Sequence, residues 1–322
     1  MVEQLAVNQL VVGSSPTPGA TKNSITTIFF YLFQSMKHKL YTINAFSDSA
    51  EGGNPAGVLL NADKLSDTEM LRISNKVGFS ETAFVMDSDA ADYKIKFFTP
   101  NSEVDLCGHA TISVFSILIH HNIIKHGNFS IETNIGVLEV NISSTGVVFM
   151  DQAIPTFYDT IDIGEIAESL NISSELISSK LPIQIVSTGL RDVFIPLKSL
   201  NDLNNLNPDF RKILQISKRL NVTGYHVFVP SSDSRVTANC RNFAPLYDIN
   251  EESATGSASG ALACYMFHHR LLDDSDLNNL VFKQGVSMNR PSIINVKLDT
   301  FNNQITRVRV GGKCSNINLL DI

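Results

Sequence analysis

The chain has 322 residues, of which 43% are hydrophobic and 18% charged, as expected for a globular protein that can bury two ordinary cores. Its net charge of -7 and the lack of any Lys/Arg cluster argue against nucleic acid or an acidic membrane surface as a partner. The four cysteines are scattered, without CxxC or paired Cys/His spacing, so we expect neither disulfides nor a metal site. This composition favours a cytoplasmic protein.

The N-terminal segment 1–35 does not share the pattern of the rest of the chain. A Gly/Ser/Pro-rich stretch over 12–20 precedes a short apolar segment, 28–33, which is far below the ~20 residues that a membrane span requires. The segment also lacks the basic region and the small-residue cleavage site of a signal peptide. We therefore expect 1–35 to be a non-native or disordered extension, with Met36 as the true start.

Hydrophobic periodicity predicts the elements of the first half in chain order. A capped helix that ends at Gly78 follows a hairpin-like pair of strands. Gly108 then opens a run that is apolar on nearly every face until Gly127, which is typical of a buried helix. The strands are predicted at 40–46, 56–60, 83–85, 93–98, 129–132, 137–142 and 147–151.

An internal repeat gives the second half the same order of elements. The segment 98–121 recurs as 243–269: each has Phe-x-Pro, an acidic loop, a glycine that opens an apolar run, and two consecutive histidines. A helix over 209–220 echoes the first helix. The strands are predicted at 183–186, 193–196, 224–229, 280–284, 293–298 and 306–310.

These elements predict an α+β fold rather than a doubly wound parallel sheet. Each half reads as a β-sheet wrapped around one central helix, with a first repeat domain over 36–152 and a second over 153–302. The last strand, within 303–322, is expected to return to the first half. A ligand site is expected in the cleft between the two halves.

Gly108 and Gly256 each stand directly before a predicted buried helix. A glycine at this place can simply permit a tight turn. Its recurrence in register favours a second interpretation, in which two helix N-termini with free N–H groups point into one cleft and hold a carboxylate.

Glu81 and His109 are the candidates for proton transfer. Glu81 lies at the edge of a predicted strand, and the repeat is broken there, since Tyr225 or His226 takes its place in the second half. An exposed strand glutamate would have no such role, whereas a partly buried one has a raised pKa suited to moving protons. His109 lies in the first turn of a helix, where the positive helix end favours neutral imidazole.

Four motifs in order resemble those of the PhzF family of phenazine-biosynthesis proteins, within the diaminopimelate-epimerase-like superfamily. They are Asn54–Gly57, Ser80–Thr82, Cys107–Thr111 and Ala254–Ala258, and the resemblance runs from about Tyr41 to Lys313.

The resemblance implies two pseudo-symmetric domains, each a barrel-like sheet around a central buried helix, in a homodimer. It also implies an active site between them that needs no cofactor and no metal. The residues that match the family's catalytic motifs are Glu81, as acid/base, with His109, Glu252 and Ser257. Those at the two helix starts, expected to bind the substrate carboxylate, are Gly108, His109, Thr255, Gly256 and Ser257.

The chain departs from the family at two positions. Glu252 and Ser253 replace an Asp-Pro pair, which lengthens one side chain and predicts a less restrained loop. A proton relay needs heavy atoms within about 3 Å, so this change bears on the substrate and the reaction. The two-thiol racemases of the superfamily place a cysteine in each half, whereas here Cys107 has Thr255 as its counterpart, and Cys107 is expected to fill the turn.

We therefore predict an isomerase that moves a proton within a small carboxylate-bearing metabolite. Two alternatives stay open. One is a non-catalytic metabolite-binding or regulatory protein, which the change at Glu252 and Ser253 favours. The other is an epimerase or racemase that uses Glu81 and a group other than a second thiol.

Overall fold

The computed structural model describes residues 38–322 apart from 48, 50 and 274, so the predicted extension 1–35 and the predicted start at Met36 lie outside the described residues. In chain order the first half comprises β1 (Lys39–Ala45), β2 (Asn54–Leu59), α1 (Asp67–Val77), β3 (Thr82–Met86), β4 (Tyr93–Phe98), β5 (Glu103–Val104), α2 (Gly108–His120), β6 (Gly127–Thr133), β7 (Gly136–Ile142) and β8 (Val148–Gln152).

The second half begins with β9 (Thr156–Thr160), α3 (Ile163–Ser169), β10 (Gln184–Ser187), β11 (Arg191–Pro196), α4 (Leu200–Asn204), α5 (Phe210–Leu220), β12 (Gly224–Pro230), β13 (Ala238–Ala244) and β14 (Ile249–Glu252). The chain continues with α6 (Gly256–His268), β15 (Leu280–Gln284), β16 (Ser292–Phe301), β17 (Gln304–Gly312) and β18 (Cys314–Asp321). Short 3₁₀ turns lie at Ser174–Leu176, Pro245–Tyr247 and Val286–Met288.

The described strands form one mixed sheet, and its two halves repeat one pattern of pairing. In the first half β2 is parallel to β3 and β4 is parallel to β6. In the second half β11 is parallel to β12 and β13 is parallel to β15. A mixed sheet with few helices confirms the predicted α+β class.

The last strands join the two halves of the sheet. β17 pairs antiparallel with β16 on one side and with β8 on the other, while β18 pairs with β1. The chain thus returns to the first half after completing the second. The domain boundaries at 152 and 302 stay predictions, since residues Leu40–Leu320 form one compact unit.

The helices α2 and α6 are buried, as their uninterrupted apolar composition predicts. α2 packs against β2, β3 and β8, and α6 packs against β10, β11, β16 and β17. The few polar side chains inside bond back to their own helix: the Thr111 hydroxyl donates to the Cys107 carbonyl at 2.8 Å, and the Ser259 hydroxyl donates to the Thr255 carbonyl at 2.9 Å. One continuous apolar core therefore contains both helices.

Local signals fix the ends of α1. Ser66 caps the N-terminus of the helix in a capping box with Glu69, which confirms the predicted capped helix. Gly78 ends the helix with φ of 72°, a left-handed conformation that glycine adopts without a steric cost. A second apolar cluster lies between strands β10–β13 and the helices α3 and α5.

Strand register shows which residues of the two halves correspond. Thr82 lies opposite Phe98 across β3 and β4, while Tyr225 lies opposite Phe243 across β12 and β13. Since the two phenylalanines open the two copies of the repeat, Thr82 corresponds to Tyr225. The same register makes Glu81 of the first half correspond to Gly224 of the second half, since each directly precedes these residues.

Candidate active site

The N-termini of α2 and α6 are built alike. Cys107 precedes α2 and Thr255 precedes α6, both in extended conformation, and within the described residues neither side chain caps its helix. The N–H groups of a first helical turn have no partner inside the helix, and the helix dipole adds partial positive charge. Gly108 is exposed, and nothing lies within 4 Å of the place where a side chain would begin. Both helix starts are suited to an anionic group.

Glu81 meets His109 at the start of α2. The Glu81 Oε2 atom lies 3.2 Å from His109 Nε2, yet it makes no well-aligned hydrogen bond within the described part of the chain, although it is buried. Burial lowers the pKa of His109, and the charge of Glu81 opposes that shift only in part. His109 is therefore mainly neutral near pH 7, and Glu81 keeps a buried oxygen for a further partner.

Cys107 completes this group. Its Sγ atom lies 3.3 Å from His109 Nδ1 and 3.9 Å from Nε2. Burial raises the pKa of the Cys107 thiol well above its usual value, and the charge of Glu81 raises it further. A protonated thiol is a poor nucleophile and a poor base, in keeping with the prediction that Cys107 is not one of two racemase thiols.

Glu252 is held at the end of β14 by two donors. Asn54 Nδ2 lies 3.0 Å from Oε1, and the Thr255 hydroxyl donates to Oε2 at 2.5 Å. Burial raises the pKa of Glu252 to about 7; the Thr255 bond opposes this shift, the Glu81 charge adds to it, and the Asn54 bond opposes it. The longer side chain is thus fixed in place, and its carboxyl group is poised to titrate near neutrality.

The loop around Ser253 is restrained, contrary to the sequence-based prediction. The buried Ser253 hydroxyl donates to the Gly53 carbonyl at 3.0 Å, so a hydrogen bond takes over the restraint that proline would supply. The preceding Glu251 forms a two-point ion pair with Arg241, with distances of 2.9 and 2.8 Å. The prediction failed because Gly53, the partner of Ser253, lies 200 residues earlier in the sequence.

A further side chain, Gln284, organises the start of α6. Its Nε2 donates to the Glu252 carbonyl at 2.8 Å and to the Thr255 hydroxyl at 3.0 Å, while its Oε1 accepts the Thr255 N–H at 3.2 Å. Sequence reasoning missed Gln284, which lies in a different strand and matches no motif. Ser257 lies in the first turn of α6, and its hydroxyl makes no hydrogen bond with any described residue.

Three of the predicted catalytic residues, Glu81, His109 and Glu252, lie near one another although they come from both halves. Asn54 of β2 binds Glu252 of β14, and the charge of Glu252 acts on the pKa of Cys107. Glu81, His109 and Glu252 are therefore close enough to influence one another. Their roles in catalysis stay predictions.

The second half has no counterpart of Glu81. The register places Gly224 there, so the expectation of Tyr225 or His226 at this position is wrong by one or two residues. A side-chain Cβ on Gly224 would lie 1.9 Å from the Phe243 carbonyl oxygen, so no side chain fits. The carboxylate at this strand position is therefore present in the first half and replaced by glycine in the second.

Asp192 is a second carboxyl group that sequence reasoning missed. It lies opposite Gly224 across β11 and β12, is 1% exposed, and its Oδ1 atom has no hydrogen-bond partner within the described chain. Burial raises the pKa of Asp192 to about 7, and the charge of Glu252 contributes. Its position inside an otherwise apolar strand gave no sign of this proximity.

The described part of the chain contains one group of side chains that could ligate a metal. A carboxylate oxygen of Glu81, the sulfur of Cys107 and a ring nitrogen of His109 all lie within 4.8 Å of one another. The sequence-based expectation of no metal site rested on spacing along the chain, and Glu81 joins this group from another strand. No helix among the described residues is long and apolar enough to cross a membrane.

Fold and site together define an α+β protein with two repeated halves around a carboxylate-bearing site. A profile of the family described as phenazine biosynthesis-like protein (PhzC-PhzF) matches residues 43–318, and the chain belongs to this family. This finding confirms the family inferred from the four motifs.

Relatives and a solved structure agree with that assignment. The chain is 37% identical over 287 residues to an uncharacterized isomerase of Clostridium acetobutylicum, covering 86% of this chain and 95% of the relative. It is 32% identical over 290 residues to the trans-2,3-dihydro-3-hydroxyanthranilate isomerase of Pseudomonas chlororaphis, covering 85% and 95%. The PhzF-family protein of Bacillus anthracis is similar in structure, with a TM-score of 0.79 at 27% identity, covering 89% of this chain and 99% of that one. The enzyme class is therefore isomerase.

Proposed function

We propose that the protein is a cofactor-independent isomerase that moves a proton within a small carboxylate-bearing metabolite, with Glu81 as the general acid/base. The observation that supports this proposal is the buried Glu81 oxygen, which lies beside a neutral His109 at a helix N-terminus and is not engaged in an aligned hydrogen bond. Such an oxygen has no aligned hydrogen-bond partner among the described residues to lose when it accepts a substrate proton.

The substrate carboxylate would bind at the two helix starts. The first-turn N–H groups around Gly108, His109 and Gly256 supply donors, and the Thr255 and Ser257 positions complete the second helix start. A carboxylate held by two such N-termini leaves the rest of a small molecule beside Glu81. No arginine is needed for this binding mode.

The proton transfer proceeds in two balanced steps. Glu81 accepts a proton from a substrate carbon as that C–H bond breaks, and the electron pair moves into the substrate's conjugated system. The same carboxyl group then returns the proton to a different carbon, as a new C–H bond forms and the double bond shifts. In an epimerase, Glu81 would remove the proton from one face, and a second acidic group would return a proton to the same carbon on its other face.

His109 and Glu252 assist from opposite helices. In the tautomer with its proton on Nε2, the His109 imidazole can accept a hydrogen bond from the Cys107 thiol at Nδ1 and can donate from Nε2 to Glu81 or to the substrate. Glu252, with its pKa raised to about 7, can donate or accept a proton near neutrality. The fixed positions of Glu252 and Ser253 remove the feature that favoured a non-catalytic protein.

Hydrogen–deuterium exchange measured by NMR tests the proposal. The protein is incubated in deuterated water with a panel of small amino and hydroxy carboxylic acids, including trans-2,3-dihydro-3-hydroxyanthranilate. We expect deuterium to enter one compound, and Glu81→Gln to slow that exchange by about 10²–10⁴-fold, the usual contribution of general acid/base catalysis. The exposed Glu175→Gln serves as the matched control.

The labelled carbon distinguishes isomerisation from epimerisation, because the first labels a new carbon and the second labels the original one. If Glu81→Gln exchanges deuterium as fast as the unaltered protein, Glu81 is not the general acid/base. Homodimer formation and a cytoplasmic location stay predictions from the sequence.

A further inference from the structure

Three side chains at the start of α2 have the geometry of a soft metal site. His109 Nε2 lies 3.2 Å from Glu81 Oε2 and 3.9 Å from Cys107 Sγ, and all three ligand atoms lie within 4.8 Å of one another. A tetrahedral Zn²⁺ ion, with bonds of about 2.3 Å to sulfur and about 2.0–2.1 Å to nitrogen and oxygen, separates its ligands by roughly 3.3–3.6 Å. The nitrogen–oxygen and nitrogen–sulfur distances lie within a few tenths of an ångström of these values, and the sulfur–carboxylate distance is at most 4.8 Å.

The ligand types select among metals. A thiolate, an imidazole and a carboxylate form a set that Zn²⁺ accepts, whereas Mg²⁺ and Ca²⁺ prefer oxygen ligands alone. Glu81 Oε2 is buried without an aligned partner in the described chain, so ligation would satisfy an atom that folding leaves unsatisfied. The Cys107 sulfur and the Glu81 carboxylate oxygen also lie within 4.8 Å of each other.

The electrostatic balance also permits a cation here. The positive end of α2 opposes it, but ionised Glu81 and the Cys107 thiolate together carry two negative charges. On binding, the thiol loses its proton to solvent as the S–Zn bond forms, and no electron transfer is involved. Three protein ligands leave the fourth tetrahedral position for water.

We propose that Glu81, Cys107 and His109 form a Zn²⁺ site whose occupation inhibits the enzyme. The inhibition, unlike the metal site itself, rests on the proposed function: a metal on Glu81 takes the oxygen that would accept the substrate proton. Three protein ligands with one open position are the ligand set of many catalytic zinc sites, but here the metal blocks the acid/base.

Co²⁺ titration of the purified full-length protein tests the site without reference to activity. Sulfur ligation gives Co²⁺ an intense near-ultraviolet charge-transfer absorption, and competing Zn²⁺ abolishes it. We expect this absorption in the unaltered protein and in Cys314→Ser, which replaces a partly buried cysteine beside α2. Cys107→Ser and Cys107→Ala should both lose the charge-transfer absorption and bind Zn²⁺ at least ~100-fold more weakly. That loss exceeds the ~10–100-fold typical of replacing a residue that contacts a ligand but not the metal. Mg²⁺ should not compete.

Two results would overturn the metal site: no charge-transfer absorption in the unaltered protein, or the same absorption after replacement of Cys107. Deuterium exchange is then measured with the Zn²⁺ protein. Binding that leaves exchange unaffected would refute the role of Glu81 in proton transfer while keeping the metal site. Absence of binding refutes the site and leaves the proposed function intact.

Discussion

The buried Asp192 carboxyl group makes a defined prediction about stability and pH. Asp192 is 1% exposed, Oδ1 has no hydrogen-bond partner in the described chain, and burial raises the pKa of its carboxyl group from the usual 3.8 to about 7. Because the folded pKa lies above the unfolded one, the folded protein holds this proton more tightly. Asp192 therefore costs nothing below about pH 4, lowers the free energy of unfolding progressively as pH rises to about 7, and has a constant effect above that.

The size of the effect follows from the shift. Each pKa unit corresponds to about 1.4 kcal/mol, so a shift of roughly three units has an upper limit near 4 kcal/mol. Part of that shift depends on the charge of Glu252, which itself titrates near pH 7. We therefore expect about 2–4 kcal/mol for Asp192 alone.

Asp192→Asn removes the titration and keeps the shape of the side chain. The new amide has its own burial cost, about 1–3 kcal/mol at every pH, which cancels when two pH values are compared. Urea unfolding of both proteins near pH 4 and near pH 8 should show that the substitution is more favourable at the higher pH by about 2–4 kcal/mol. Asp159→Asn, at an exposed position of β9, should show no such difference. A pH-independent effect of Asp192→Asn would refute this reasoning.

Two other substitutions test the surroundings of the site. Arg241→Ala should lower the free energy of unfolding by about 3–5 kcal/mol, because the mostly buried Glu251 would lose its ion pair and keep, among the described residues, only the Ser287 hydroxyl as a partner. The exposed Arg235→Ala is the control, and equal losses from both would contradict the reasoning. Asn54→Ala removes a hydrogen-bond donor that lies 3.0 Å from Glu252, so the pKa of Glu252 should rise further. We expect kcat/KM to fall about 10-fold, the size typical of losing one hydrogen bond to a charged group. A pH profile of kcat/KM that does not move would exclude this role of Asn54.

Local sequence signals predicted α1, α2, α5 and α6, whereas the short helices α3 and α4 were missed. The caps of α1 at Ser66 and Gly78 depend on residues within a few positions, and so does the all-round apolar pattern of α2 and α6. The two helix-opening glycines could be found because the repeat preserves their register. The α+β class followed from the order of these elements.

Features that depend on distant residues could not be predicted from the sequence. The counterpart of Glu81 was misplaced because strand register is set by pairing, and a shift of one residue changes which face a side chain occupies. Gln284 and Asp192 reach the site from strands with no motif. The restraint of Ser253 depends on the carbonyl of Gly53, about 200 positions earlier in the chain.

The position of β17 between β8 and β16 has a consequence for synthesis of the protein. Val308 pairs with Gln152, so one edge of β8 gains this neighbour only after about 150 further residues have been made. At ~5–20 residues per second that interval is about 8–30 s, and unpaired strand edges are sites of aggregation. During this time the nascent first half depends on the ribosome or on chaperones to keep the open edge of β8 from other chains.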